Sequence, residues 1–202
     1  MMKDWLVLST GFNRGISILV AILAAFIILN SAGPGSAQKP EHVSLAGQLL
    51  VASPTIGDPR FDRTVILMVQ HNPNGAFGII INLPRGEIPL ASILQSLDDK
   101  DIARPGKGRV FAGGPVQPEV GFVVHSADYQ RSETIAIDGR VAVTSSREIL
   151  RDIGNNKGPN KSLIAFGYAG WGAGQLEGEL GRRIWFTAPA DPKLILPGLA
   201  RA

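Results

Sequence analysis

The sequence predicts an α+β domain. Three observations carry that reading: β-rich runs paired across Asn-Gly and Asp-Gly turns, helix signatures inserted between the pairs, and no regular β-α-β alternation of the kind that builds a doubly wound sheet. At 202 residues the chain is long enough for one domain with a sizeable core and short for two. Hydrophobic residues at 45% and charged residues at 18% describe a globular chain, and 24 Gly with 14 Pro imply many turns between short elements.

The elements follow in order. Gln48 to Ala52 is a short apolar run stopped by Ser53-Pro54, which predicts a first strand. Thr55 to Arg63 is loop, punctuated by Gly57-Asp58-Pro59. Thr64 to Gln70 and Ala76 to Asn82 are β-branched and apolar on both faces, so they form a centrally buried hairpin around a five-residue loop, His71 to Gly75. Pro89 opens a helix whose Leu90, Ile93, Leu94 and Leu97 fall at i, i+3, i+4 and i+7. Asp98 to Gly108 is a charged loop. Arg109 to Ala112 and Gly121 to His125 flank Gly113-Gly114-Pro115 and suggest a second strand pair. Thr134 to Ile137 and Arg140 to Val143 close on Asp138-Gly139, the tightest hairpin of the chain. Ser145 to Glu148 has capping-box spacing, starting a helix that stops at Gly154. A strand over Ser162 to Tyr168, a short helix over Gln175 to Leu180 and a last strand over Ile184 to Thr187 complete the domain.

Ahead of it, Ile16 to Leu29 is a continuous apolar run preceded by Arg14 and followed by Gly35-Ser36-Ala37. That is the order of a signal peptide cut after Ala37, which would place the protein in the periplasm. Without the cut, residues 16–29 would serve as an inner-membrane anchor; the third reading is a miscalled start and a cytoplasmic protein. The organisation expected is therefore a leader or anchor at 1–37, a linker at 38–44, the domain at 45–196 and a short tail at 197–202.

Composition narrows the chemistry. No cysteine is present, which removes thiol nucleophiles, disulfides and Cys-ligated zinc. The net charge of +3 is a small excess without a basic stripe, and direct nucleic-acid binding is not expected. No cofactor motif appears: Gly170-Trp171-Gly172-Ala173-Gly174 lies between a strand and a helix, but that helix is too short for a dinucleotide crossover. The glycines there are expected to admit close packing around Trp171.

Four blocks carry a family resemblance: Leu49 to Pro84, Phe111 to Val116 with Gly121 to His125, Phe166 to Leu180, and Trp185 to Asp191. In this order they resemble the YqgE/AlgH family of bacterial proteins. The resemblance implies sheets curling around a small closed barrel with helices outside. It implies no set of catalytic residues, and the AlgH name comes from a proposed role in transcriptional control of alginate production. Two features depart from the family pattern: the apolar N-terminus, and a chain that stops at Leu196 to Ala202 where a terminal helix usually follows.

Candidate site residues are His71, Asn72 and Asn74 at the first hairpin loop, Trp171 in the glycine-rich block, and Asp58 and Arg63 in the loop after the first strand. His71 and Asn72 read as a pair at a pocket rim, or as ordinary loop chemistry. Asp58, Arg60, Asp62 and Arg63 alternate in sign, as a polar-ligand site or as an ion-pair network holding the loop. His125 ends a strand, and a metal shared by His71 and His125 lacks ligand spacing. Glu177 and Glu179, two apart on a short helix, point in different directions and default to exposure. The expected function is a binding or regulatory protein with a protein or small-molecule partner. The alternative is an enzyme of unknown class with a polar pocket near the first hairpin loop and the Gly-Trp-Gly segment, in which His71, Asn72 and Trp171 would share one deep pocket.

Overall fold

The computed structural model describes residues 43–95 and 106–196. The apolar run 16–29, the cut after Ala37, most of the 38–44 linker, Leu97, the loop from 98 to 105 and the tail 197–202 lie outside the described residues. Among the described residues, no helix is long and apolar enough to cross a membrane.

Ten strands form one sheet: β1 (Gln48–Ala52), β2 (Val65–Asn72), β3 (Gly75–Ile80), β4 (Pro84–Pro89), β5 (Lys107–Ala112), β6 (Val116–Ser126), β7 (Thr134–Ala136), β8 (Val141–Thr144), β9 (Ser162–Gly172) and β10 (Trp185–Pro189). Among the described residues four short α-helices accompany them: α1 (Leu90–Gln95), α2 (Glu148–Gly154), α3 (Gln175–Gly181) and α4 (Pro192–Ile195). The main path runs β10-β1-β2-β3-β9-β6-β8-β7, with β4 and β5 added beside β9.

Strict alternation builds the layers, because successive side chains of a strand face opposite sides of the sheet. Leu49, Leu67, Ile79, Val124 and Leu163 belong to one core that draws on strands along the whole path. Their neighbours Leu50, Ile66 and Ile80 enter a second core, which takes in Leu176 of α3. Val123 and Ile164 enter a third, beneath α1 and α2. The first core fills the inside of the curl, and Ile195 of α4 packs against it.

The sheet is a curled half-barrel rather than the closed barrel the resemblance implied. Its path ends at β10 and β7, and no ladder joins them among the described residues. Both ends reach the same core, through Ala188 and Ile135. Between them stands a cleft of about 430 Å³ lined by Gly47, Gln48 and Thr187 on one side and Asp138 and Arg140 on the other.

Several sequence expectations need correction. The first hairpin is tighter than a five-residue loop: Asn72 pairs with Gly75, leaving Pro73-Asn74 as the turn. Residues Pro84 to Pro89 form a strand that composition hid; β4 pairs only with β5, and an edge strand tolerates proline. β5 and β6 do not pair with each other. β9 lies between them, parallel to β5 and antiparallel to β6. The connection passes over β9 where Gly114 meets Gly167: a Cβ on Gly114 would sit 2.1 Å from the Tyr168 carbonyl carbon, and one on Gly167 2.3 Å from the Gly114 oxygen. β9 itself continues through Trp171 to Gly172, so the Gly-Trp-Gly block is strand. Helix α2 forms without the capping box: Arg147 occupies the N-cap in a helical conformation and makes no side-chain cap bond.

Candidate functional site

The end of β9, the start of β10 and helix α3 meet around one carboxylate. Trp171 lies two residues after Ala169 on the same face of β9, and Trp185 opens β10; both indoles are buried in the second core. Their rings meet edge to face at 5.9 Å. An indole N–H withdrawn from water needs an acceptor, and Glu179 supplies one for both. Its Oε2 accepts from Trp171 Nε1 at 2.8 Å and from Trp185 Nε1 at 2.7 Å, while Oε1 accepts from Gln175 Nε2 at 2.9 Å. Gln175 Oε1 in turn accepts from the Gly172 amide at 3.1 Å. Hydrogen bonds to a charged acceptor are worth about 1.5–3 kcal/mol each, so this clamp is a main tie between α3 and the two strands.

The loop after β1 forms the opposite wall. Asp58 caps the short helical turn Pro59–Phe61 by accepting from the Arg60 amide at 3.0 Å. Both its oxygens also take the Arg60 guanidinium, Nε at 3.0 and 3.1 Å and Nη2 at 2.7 Å. That side-chain bonding holds the Asp58 carboxyl below its ordinary value of 3.8, and lifts Arg60 correspondingly. The guanidinium lies 6.0 Å from the Phe61 ring centre, and Phe61 meets Trp185 edge to face at 5.6 Å. Between this loop and the Trp-Glu clamp opens a cleft of about 360 Å³, with Ile56, Pro115, Val116 and Ile184 as further apolar walls.

Of the residues singled out in the sequence, Asp58 and Trp171 come together in this cleft. Arg63 does not: its side chain is 92% exposed, against Asp62 at 3.8 Å, and Arg60 takes the place at the cleft. His71 also lies off the cleft lining, with its side chain only 3% exposed. Its Nδ1 accepts from the Leu45 amide at 3.0 Å, which makes Nε2 the N–H that meets Glu177 Oε1 at 3.0 Å. It thus ties the segment entering β1, the end of β2 and α3 together. Asn72 Oδ1 accepts from the Asn74 amide at 2.8 Å, an Asx turn that shapes the hairpin. His71 and Asn72 thus make local bonds, Asn74 contributes its backbone amide, and neither His71 nor Asn72 lines the cleft that holds Trp171.

Glu177 and Glu179 point apart as their spacing requires, but Glu179 is no exposed default: it is the acceptor at the centre of the clamp. Its signal in the sequence was an acid on a short helix between two tryptophans. Gly170 sits against the Tyr168 ring, whereas Gly172 faces open space, so only the first of these glycines makes room for an aromatic neighbour. His125 is fully buried, with Nδ1 at 2.8 Å from the Ser126 carbonyl and Nε2 at 2.9 Å from Thr144 Oγ1. Among the described residues no group of three or more His, Asp or Glu is placed to hold a metal ion.

Comparison with known proteins places this arrangement. The AlgH-like family model matches residues 49–200. The chain belongs to the AlgH-like family. A UPF0301 protein of Rhodospirillum rubrum is 44% identical over 151 residues, covering 75% of this chain and 79% of its own length. A UPF0301 protein of Methylococcus capsulatus is 45% identical over 152 residues, covering 75% and 80%. The solution structure of the AlgH protein from Pseudomonas aeruginosa superposes with a TM-score of 0.67 at 38% identity, over 84% of this chain and 85% of that one. A Corynebacterium diphtheriae protein, 18% identical, shares the fold alone, with a TM-score of 0.58 over 83% and 82% of the two chains. The AlgH-like fold thus carries the Trp-Glu-Trp clamp and its cleft in this member.

Proposed function

We propose that this AlgH-like chain works by binding a ligand in the cleft between the Asp58–Phe61 turn and the Trp171–Glu179–Trp185 clamp, as a binding or regulatory protein rather than a catalyst. One observation carries the reading. The polar side chains lining the cleft are Asp58, Arg60, Gln175 and Glu179, and each is bonded to another member of the lining. Hydroxyl nucleophiles and histidine bases are not among them, and both carboxylates are engaged, Asp58 by the Arg60 guanidinium and Glu179 by two indole N–H groups, so the lining presents shape and charge already bonded within itself. The enzyme reading has no comparable support.

Gly57 provides the test. It lines the cleft, and a Cβ added there meets nothing within 4 Å. Gly57→Trp should fill the cleft while the fold stays intact. Native mass spectrometry of protein isolated from its own cells should find a bound ligand in the wild type and lose it in the variant, with circular dichroism unchanged. A wild type without a ligand, or a ligand kept by the variant, would sink the proposal. If the apolar run at residues 16–29 is a genuine leader or anchor, the location that accompanies it is the periplasm or the inner membrane; the alternative is the cytoplasm. Intact mass should then give Gln38 as the first residue of the cut form.

A further inference from the structure

The end of β9 has one open edge, and it lies at the cleft. The two-residue turn Pro73-Asn74 closes on a hydrogen-bonded pair, so Gly75 exchanges its backbone bonds with Asn72 on β2. Alternation then turns Ala76 and Trp171 toward each other across the β3–β9 ladder, and leaves Gly170 and Gly172 pointing away from β3. The Gly172 amide agrees, since it donates outward to the Gln175 side-chain carbonyl at 3.1 Å. On that outer side β6 comes alongside only as far as Tyr168, which pairs with its first residue, Val116. Ahead of Val116 stand Pro115, with no N–H to give, and Gly114, which crosses over β9. Gly170 therefore carries an exposed N–H and carbonyl without a bonding partner among the described residues, and it lines the cleft beside Pro115 and Val116. Gly172 needs its glycine neither for space nor for backbone: an added Cβ meets nothing within 4 Å, and its φ is not positive. A strand glycine of that kind leaves its backbone open to the close approach of another backbone. Gln175 displays the chemistry that fits, because its side-chain amide, the same group as a peptide unit, already sits on the Gly172 N–H.

We propose that the cleft binds an extended peptide segment of a protein partner, which adds to the open edge of β9 at Gly170 as a short strand in line with β6. This deepens the reading of the cleft as the binding site and rests on it. The peptide takes the Gly170 N–H on a carbonyl and gives an N–H to the Gly170 carbonyl, as one hydrogen-bonded antiparallel pair does. Side chains of an added strand alternate between faces. The residue paired with Gly170 shares its face, so its two neighbours share the face of Ala169 and Trp171, where Ile56 and Ile184 stand at the cleft. The main chain thus supplies affinity, and an apolar residue on each side of the paired one supplies selectivity.

The experiment is an NMR titration of the full chain, following the Gly170 amide. In the free protein that amide should exchange quickly with solvent while its neighbour Trp171, bonded across to β3, is protected. A protected Gly170 would mean that the edge is already occupied, and would overturn the inference. The probes are capped pentapeptides, acetyl-Thr-X-Thr-X-Thr-amide with X as Val, Leu or Phe, each beside a copy N-methylated at the central Thr. At least one should shift the Gly170 amide and slow its exchange. N-methylation should weaken it about tenfold or more, as removing one partner of a hydrogen bond does. Gln175→Ala clears the Gly172 N–H for a further backbone bond and should tighten the peptide roughly three- to tenfold. Gln175 is exposed, so this substitution leaves the core untouched. Equal binding of the N-methylated copies, a Gly170 amide that does not respond, or weaker binding to Gln175→Ala would overturn the strand pairing. Shifts confined to β4, β7 or β10 would assign the peptide to another edge and overturn it too. So would the absence of binding by every peptide; a ligand found by native mass spectrometry in the wild type and lost in Gly57→Trp would then keep the cleft as a binding site for a small molecule.

Discussion

At the scale of single residues, Glu179 decides most. Glu179→Ala strips the acceptor from two indole N–H groups, and each buried unsatisfied donor costs about 1–3 kcal/mol. A loss of roughly 2–4 kcal/mol in urea unfolding is expected; a loss near zero would mean that water replaces the carboxylate freely. His125 sets a pH dependence. Burial pushes its pKa below the ordinary 6.5, with the Ser126 carbonyl and Asp128 pulling the other way. The unfolded chain therefore binds the proton more readily, and the stability His125 contributes is present above pH 6.5 and lost as pH falls below it toward the folded value. Thermal midpoints should decline as pH falls below 6.5, and His125→Gln should flatten that decline. The paired aspartates lose their contribution only at lower pH, since Asp58 titrates below 3.8. Trp171 and Asp58 were legible as site candidates because a tryptophan among glycines and a Gly-Asp-Pro turn are unusual local chemistry. Their partner Glu179 was not, because an acid's burial depends on strands that spacing alone does not bring together.

At the scale of elements, local pairing was legible and non-local pairing was not. The hairpins β2–β3 and β7–β8 were read from their turns, since a turn residue fixes its own neighbours. The insertion of β9 between β5 and β6 was missed, because nothing near Gly113-Gly114 in the chain names a strand some fifty residues on. Strand β4 was hidden by Pro84, Gly86 and Pro89, which signal loop unless the strand is known to lie at an edge. The capping box before α2 was a spacing without the geometry, since Arg147 is already helical. One ladder position gives a sharp test. Gly75 and Gly172 pair across β3 and β9, yet they should respond oppositely to Ala. Gly75 has φ +143°, and a Cβ there would lie 2.3 Å from the Trp171 oxygen. Gly172 has open space around the same position. Gly75→Ala should cost more than about 1 kcal/mol, and Gly172→Ala should be neutral or gain about 0.5 kcal/mol. Equal denaturation midpoints for the two variants would contradict the register.

At the scale of the molecule, β9 is the hub. Ile164 pairs with Val110 on one side and Val123 on the other, and Ala165 with Phe111 and Phe122. Amide exchange should be slowest at Leu163 to Ala165 and fastest in β7 and β10, each bonded to one neighbour only. Uniform protection across the sheet would show that the half-barrel opens as one unit. Its centrality has a consequence for the newborn protein. Take Ser162 to Gly172 away and the sheet falls into three pieces: β10-β1-β2-β3, β4-β5 and β6-β8-β7. A ribosome that has delivered everything up to Asn160 has produced two of those pieces, the third still lacking β10, and nothing to join them. Their apolar faces must wait in water, the interval in which chains aggregate or are held by chaperones. When β9 emerges it completes three seams together, and β10 then covers the free edge of β1. Assembly is therefore late and abrupt, and a message cut short before codon 172 yields a substrate for proteases in place of a smaller domain.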